Sequence, residues 1–237
     1  MEAEQLISES KNIYIVPSEE DGGESIPVAL ALFYTLKNLN KNVNMLIQNF
    51  PEKLNYLIPS LDFISYPKNF VISIPNNTAD VSQIYYEKTD ENLKIHLTVN
   101  KGAVKKDNIS FYYSDAKPDL IITLGIGDFK TYLSEKLDSF GFLLDSAIIN
   151  IDNKQNNKNF GRVNLAGSKS LAEIIFGVIK NQNSESAKKE IAECLLTGLV
   201  AYTENFKKNI TAEIFEMASN LMKQGADLKI ITDNLKI

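Results

Sequence analysis

The chain has 237 residues but a single cysteine, a single histidine and a deficit of positive charge, with 25 Lys and Arg against 30 Asp and Glu. One thiol, Cys194, cannot close an internal disulfide, which fits a reducing compartment. One imidazole, His96, lies on an alternating segment and reads as a surface or packing residue, not as a ligand. The net charge of −5 gives no support to a broad nucleic-acid surface, although a small basic groove stays open. No apolar run approaches the roughly 20 residues that span a bilayer. The opening "MEAEQLISESKN" is acidic where a secretory leader would be basic and then apolar. These absences lead to the expectation of a cytoplasmic protein, with tethering through a partner left open.

What is present is an ordinary globular composition, 44% hydrophobic and 23% charged, and an alternation of strand and helix patterns. "NIYIVP" (12–17) is a short β-branched and aromatic strand. From Ser25 the residues Val28, Ala29, Leu32, Phe33, Leu36 and Leu39 recur at helical spacing, and Pro27 suits a first turn. "NVNMLI" (43–48) reads as a second strand, "PEKLNYLI" as a short helix and "DFISY" as a third strand. The fold class is therefore α/β, a Rossmann-like parallel sheet with helices on both faces. Residues 69–114 differ: four segments alternate in polarity, with "TDEN" (89–92) as a turn, and predict an antiparallel β insertion. The parallel logic resumes at "PDLIITLGIGDF" (118–129), with a helix from about Asp128, and continues at "SAIINIDNK" (146–154). In "GRVNLAGSKSLAEIIFGVIK" (161–180) a short strand precedes a helix for which Ser168 is the expected N-cap. Three helices follow near 187–203, 211–224 and 227–235, with Gly225 as a C-terminal cap. "NKQNNKNF" (153–160) reads as a solvated loop. There is no internal repeat, and the whole of 1–237 is expected to be one α/β domain.

In such a sheet a ligand crevice opens beyond the carboxyl ends of the strands. Those ends carry "PSEEDGGE", "GIGD" and "DNK". In this order they resemble the DHH phosphoesterases: RecJ-like exonucleases, nano-RNases, cyclic-dinucleotide phosphodiesterases and the related manganese pyrophosphatases. The resemblance covers nearly the whole chain. It is carried by "SIPVALAL", "PDLIITLGIGDF", "NIDNKQNNKNFGRVNLAGSKSLAEII" and "LLTGLVAYTENF…FEMASNLMKQGADLKII".

The resemblance implies a two-metal site, usually Mn²⁺, in which carboxylates and imidazoles hold the ions that clamp a phosphate and activate water. Laid on this sequence, the first motif, His-x-x-x-Asp-x-Asp, falls on Ser18, Gly22 and Glu24. The bridging aspartate falls on Gly125, with Asp128 three residues on. The Asp-His-His signature falls on Asp152, Asn153 and Lys154, and the last ligand aspartate on Tyr202. Glu24 keeps a carboxylate, but Gly125 cannot bridge metals, Asn153 is a poor ligand and Lys154 brings a cation. A shift of one residue would offer Asp21 in place of Gly22 and would restore no histidine. The residues Glu19, Glu20 and Asp21 then read as solvated loop acids near a helix start. The expectation is a vestigial crevice without metal, cofactor or catalytic residues.

Two further features bear on ligands. "GSKS" (167–170) offers Ser168, Lys169 and Ser170 to an anion at a helix start but lacks the glycine spacing of a Walker loop. Arg162, in "NFGRVN", matches a family turn that lies close to substrate. Catalytic family members also carry a second, glycine-rich substrate-binding domain, and none is expected here. Three readings follow: a catalytically degenerate domain that binds a protein or, weakly, a nucleotide; an active phosphoesterase with a non-standard site built from Glu24, Asp21, Asp128 and Asp152; or a structural subunit of a larger assembly, contacted through the β insertion. A protein partner or a second copy is expected. Nucleic acid enters through the resemblance alone.

Overall fold

Residues 2–20, 23–47, 50–58, 68–115, 118–133, 146–154, 156–180 and 188–236 are described by a computed structural model. The acidic N-terminal stretch forms an amphipathic helix, α1 (Glu2–Glu9), which buries Ala3, Leu6 and Ile7. Strand β1 (Asn12–Pro17) follows, with every residue after Asn12 buried. Continuous burial, as opposed to alternation, marks a strand covered on both faces. Helix α2 (Ser25–Asn38) is buried from Ser25 to Leu36, so it is a central helix with almost no polar stripe. Pro27 sits in its first turn, where a missing N–H costs little. Strand β2 (Asn42–Met45) comes next, and the expected helix at "PEKLNYLI" is a 3₁₀ segment, Glu52–Leu57. The segment "DFISY" lies outside the described residues.

The chain divides into two compact units, Met1–Tyr66 with Lys117–Ile237 and Pro67–Ala116. The second unit is the antiparallel insertion. It contains β3 (Lys68–Ser73), β4 (Ala79–Lys88), β5 (Leu93–Gly102) and β6 (Ser110–Asp115), paired β3 with β6 and β4 with β5. The β4–β5 turn is closed by Thr89, whose backbone N–H donates to Asn92 O at 2.8 Å. His96 stacks on its cross-strand neighbour Tyr85 with ring centroids 4.5 Å apart, a packing role. On the other face of the ribbon, Ile84 stands opposite Leu97 and Tyr86 opposite Ile95.

In the larger unit, β7 (Leu120–Leu124) is wholly buried. It is followed by α3 (Phe129–Leu133), β8 (Ala147–Asp152), β9 (Val163–Ala166), α4 (Leu171–Ile179), α5 (Lys188–Tyr202), α6 (Ala212–Lys223) and α7 (Leu228–Leu235). Five strands form one parallel sheet in the order β2-β1-β7-β8-β9. From β1 the chain moves outward to β2, while the later strands extend in the opposite direction. The reversal lies between β1 and β7, and a crevice opens at such a switch point.

The start of α4 corrects one expectation. Its N-cap is Ser170, not Ser168: the Ser170 hydroxyl accepts from the Glu173 N–H, and the Glu173 carboxylate accepts from the Ser170 N–H. This reciprocal Ser-x-x-Glu box satisfies two donors at once, which Ser168 has no acid in place to do. Gly225, at φ +104, follows the last turn of α6 as expected. No helix among the described residues is long and apolar enough to cross a membrane.

Candidate functional site

Strand register brings the switch-point residues together. Pro17 pairs with Leu124, and Leu124 with Ile151. Beyond the ladder, the Ser18 N–H donates to Leu124 O at 2.8 Å and the Gly125 N–H to Ile151 O at 2.9 Å. Gly125 then turns the chain at φ +69, a left-handed conformation that suits glycine.

Two buried acids sit at this end of the sheet. Asp152 is fully buried, and its Oδ1 accepts from the backbone N–H groups of Asn153 (2.9 Å) and Lys154 (3.3 Å). Its Oδ2 accepts from the Asn157 amide at 2.7 Å. Glu24, 5% exposed, accepts from the Asn153 amide at 2.9 Å and from the backbone N–H of Leu171 at the head of α4. A carboxylate at a helix N-terminus is favoured by the dipole and by the unpaired N–H groups there. Tyr202 ends α5 nearby. Its hydroxyl pKa is raised by burial and by the negative charges of Glu24 and Glu173.

Lys154, just beyond β8, donates from Nζ to Gly125 O at 2.9 Å. An ammonium therefore lies against the turn that follows β7. Beside it a cleft of about 490 Å³ is lined by Asn153, Lys154, Asn157, Asn159 and the turn 166–168.

The other expected residues fall in different places. Ser18 is buried, and its hydroxyl accepts from the Glu20 N–H at 3.2 Å. Asp128 pairs with Lys158 and accepts from the Lys130 N–H at 3.1 Å. Arg162 lies 3.4 Å from Glu2, and its exposed side chain is not part of the cleft lining. Ser168 lines the cleft, Lys169 is exposed and Ser170 caps α4. Asp21 and Gly22 lie outside the described residues. Among the described residues, no group of three or more His, Cys, Asp or Glu is arranged to hold a metal ion.

Asn157 is the residue that sequence reading missed. Within the supposed solvated loop, its Oδ1 accepts from the Asn150 amide (2.7 Å) and the Asn159 N–H (2.7 Å). Its own amide donates to Asp152 and, at 3.1 Å, to Ile126 O. Asn150 is fully buried on β8, in register with Thr123 on β7 and Asn164 on β9. The Thr123 hydroxyl donates to Asn150 Oδ1 at 3.2 Å, so a polar row crosses three strands and ends on the Asp152 carboxylate. A run of asparagines signals only a polar segment. Which one points inward depends on strands that pair far away in sequence.

No family model matches the chain, and no curated protein matches it. Among solved structures, the fold is similar to an exopolyphosphatase-related protein from Bacteroides fragilis, with a TM-score of 0.66 and 19% identity. The match covers 99% of this chain and 60% of that one, so this chain spans about three fifths of its structural neighbour.

Proposed function

We propose that this chain is a catalytically degenerate phosphoesterase-like domain that works by binding, either of a protein partner or weakly of a nucleotide, and not by hydrolysis. The observation that carries this reading is Lys154: its ammonium rests on Gly125 O, in the part of the crevice where a phosphoesterase of this fold would hold divalent cations. The donor set does not fit a metal pair. Asp152 and Glu24 already accept from backbone and amide N–H groups, Asn153 offers an amide and Gly125 offers no side chain. A cation brought there would meet an ammonium at close range. The alternative site from Glu24, Asp21, Asp128 and Asp152 is disfavoured because Lys158 engages Asp128.

The test is metal binding by dialysed protein. Titration with Mn²⁺ should give no heat of binding and no rise in melting temperature. A native state that bound Mn²⁺ tightly would be stabilised by mass action. Stoichiometric Mn²⁺ with a raised melting temperature, or metal-dependent cleavage of a phosphodiester, would overturn the reading.

The protein-binding arm is favoured by the insertion. Ile84, Tyr86 and Leu93 are each more than 60% exposed, and Ile95 and Phe111 are about half exposed. Contiguous apolar surface of this kind marks an interaction site.

A further inference from the structure

The one charge that the described side chains bring to the cleft beside Lys154 is that lysine's own. Among the described residues its lining contains one ammonium and no carboxylate, although the chain as a whole carries −5. The buried acids at this end of the sheet are engaged by neutral donors: Asp152 by Asn157 and two backbone N–H groups, and Glu24 by Asn153 and Leu171. Lys154 directs one N–H to Gly125 O. An ammonium has three, and a lysine is a compact point charge on a rotatable stem. The Ser168 hydroxyl and the Asn159 amide stand on the same lining and add uncharged donors. The head of α4 is not the source of attraction, since Glu24 and the Ser170–Glu173 box already occupy it.

We propose that this cleft binds a phosphate group directly, with the Lys154 ammonium supplying the positive charge and no metal ion taking part. This rests on the metal-free reading above. A volume of about 490 Å³ suits a small phosphorylated molecule. Burial of a phosphate there needs a cation, and Lys154 is the one charged side chain among the described residues of the lining. Hydrogen bonds from Ser168 and Asn159 then orient the oxyanion, and because Lys154 is a single, solvent-accessible charge, the affinity falls as salt screens it.

The experiment uses the full chain, stripped with EDTA, titrated with inorganic pyrophosphate and with AMP by calorimetry, in EDTA and again in Mn²⁺. Pyrophosphate should bind in EDTA, weaken as NaCl is raised, and lose at least tenfold in affinity in Lys154→Met. Ser168→Ala, which leaves the Gly125 contact intact, should lose severalfold without a change in melting temperature. Lys94→Met, in the insertion, is the control and should bind as wild type. Binding that is equal in Lys154→Met and wild type would place the anion elsewhere and overturn the proposal. Absence of binding in both EDTA and Mn²⁺ would overturn it while leaving the metal-free reading intact. Binding that requires Mn²⁺ would overturn both.

Discussion

The side-chain amide of Asn153 donates to the Glu24 carboxylate at 2.9 Å, joining the end of β8 to the start of α2 across 129 residues of sequence. The same carboxylate accepts from the Leu171 N–H, so Glu24 ties α2, β8 and α4 at one point. Glu24→Ala leaves two donors in a buried place without a partner, each costing about 1–3 kcal/mol. The expected loss is roughly 2–4 kcal/mol, read from urea denaturation as a lowered midpoint at unchanged slope. A change smaller than about 0.5 kcal/mol would show that water or another group takes over the acid's role.

Asn157 gives a second test of the same end of the sheet. Asn157→Ala removes the acceptor of Asn150 and Asn159 and a donor to Asp152. The cost should be about 2–3 kcal/mol, because buried polar groups are left unpaired. Its exposed neighbour Asn156 should tolerate alanine within about 0.5 kcal/mol. Equal losses at the two positions would mean that the loop is stabilised by composition and not by this network.

These two residues also mark how far the sequence could be read. Strands such as β7 and helices such as α2 were legible because continuous burial and the 3.6-residue repeat are written in neighbouring residues. So was the hairpin at 89–92. The Ser170 cap was missed by two residues because "GSKS" offers two serines, and Glu173 decides between them three positions later. The N-terminal helix was not legible because its eight residues carry only Ala3, Leu6 and Ile7 as an apolar face, too short a repeat to stand out from an acidic terminus. For the crevice, the strand ends that hold Gly125, Asn153 and Lys154 were legible as the carboxyl ends of parallel strands. That Lys154 reaches Gly125, that Asn153 serves Glu24 and that Asn157 serves Asp152 were not, since each contact joins elements that only the parallel register brings together.

The close crossing of α2 and α5 gives a third test. A Cβ built on Gly198 would lie 2.5 Å from Val28 Cγ2, and Val28 is fully buried with a stiff β-branched side chain. Gly198→Ala gains about 1 kcal/mol of helix propensity but forces an overlap that costs about 1–3 kcal/mol. The net effect should be destabilising. Val28→Ala alone removes two methyl groups and opens a small cavity, part of which the methyl added at position 198 fills in the double variant. The double variant should therefore be more stable than the sum of the two single changes predicts, by at least about 0.5 kcal/mol. Strict additivity in a double-mutant cycle would mean that the helices shift apart instead of packing through this pair.

The last test is pH. Glu193 on α5 has a side chain only 16% exposed, and its pKa is raised, first by burial and then by the negative charges of Glu190 and Asp227. The Lys189 ammonium, 3.8 Å away and itself 62% exposed, pulls the other way but is well screened. A raised folded-state pKa means that the native chain holds this proton at pH values where the unfolded chain has released it. Stability then falls as pH rises from the ordinary value of 4.5 through the folded-state value. Above the folded-state value the fold carries an ionised, poorly solvated carboxylate, and at pH 4, below the ordinary value, it does not. Glu193→Gln keeps the shape and removes the charge. The variant should be more stable than wild type at pH 7, and the advantage should vanish at pH 4, as followed by urea denaturation at both values. The Thr197 hydroxyl, which donates to the Glu193 backbone carbonyl at 2.7 Å, is untouched by the change. An advantage of the same size at both pH values, or a loss at pH 7, would show that the carboxylate is not the strained group on this helix.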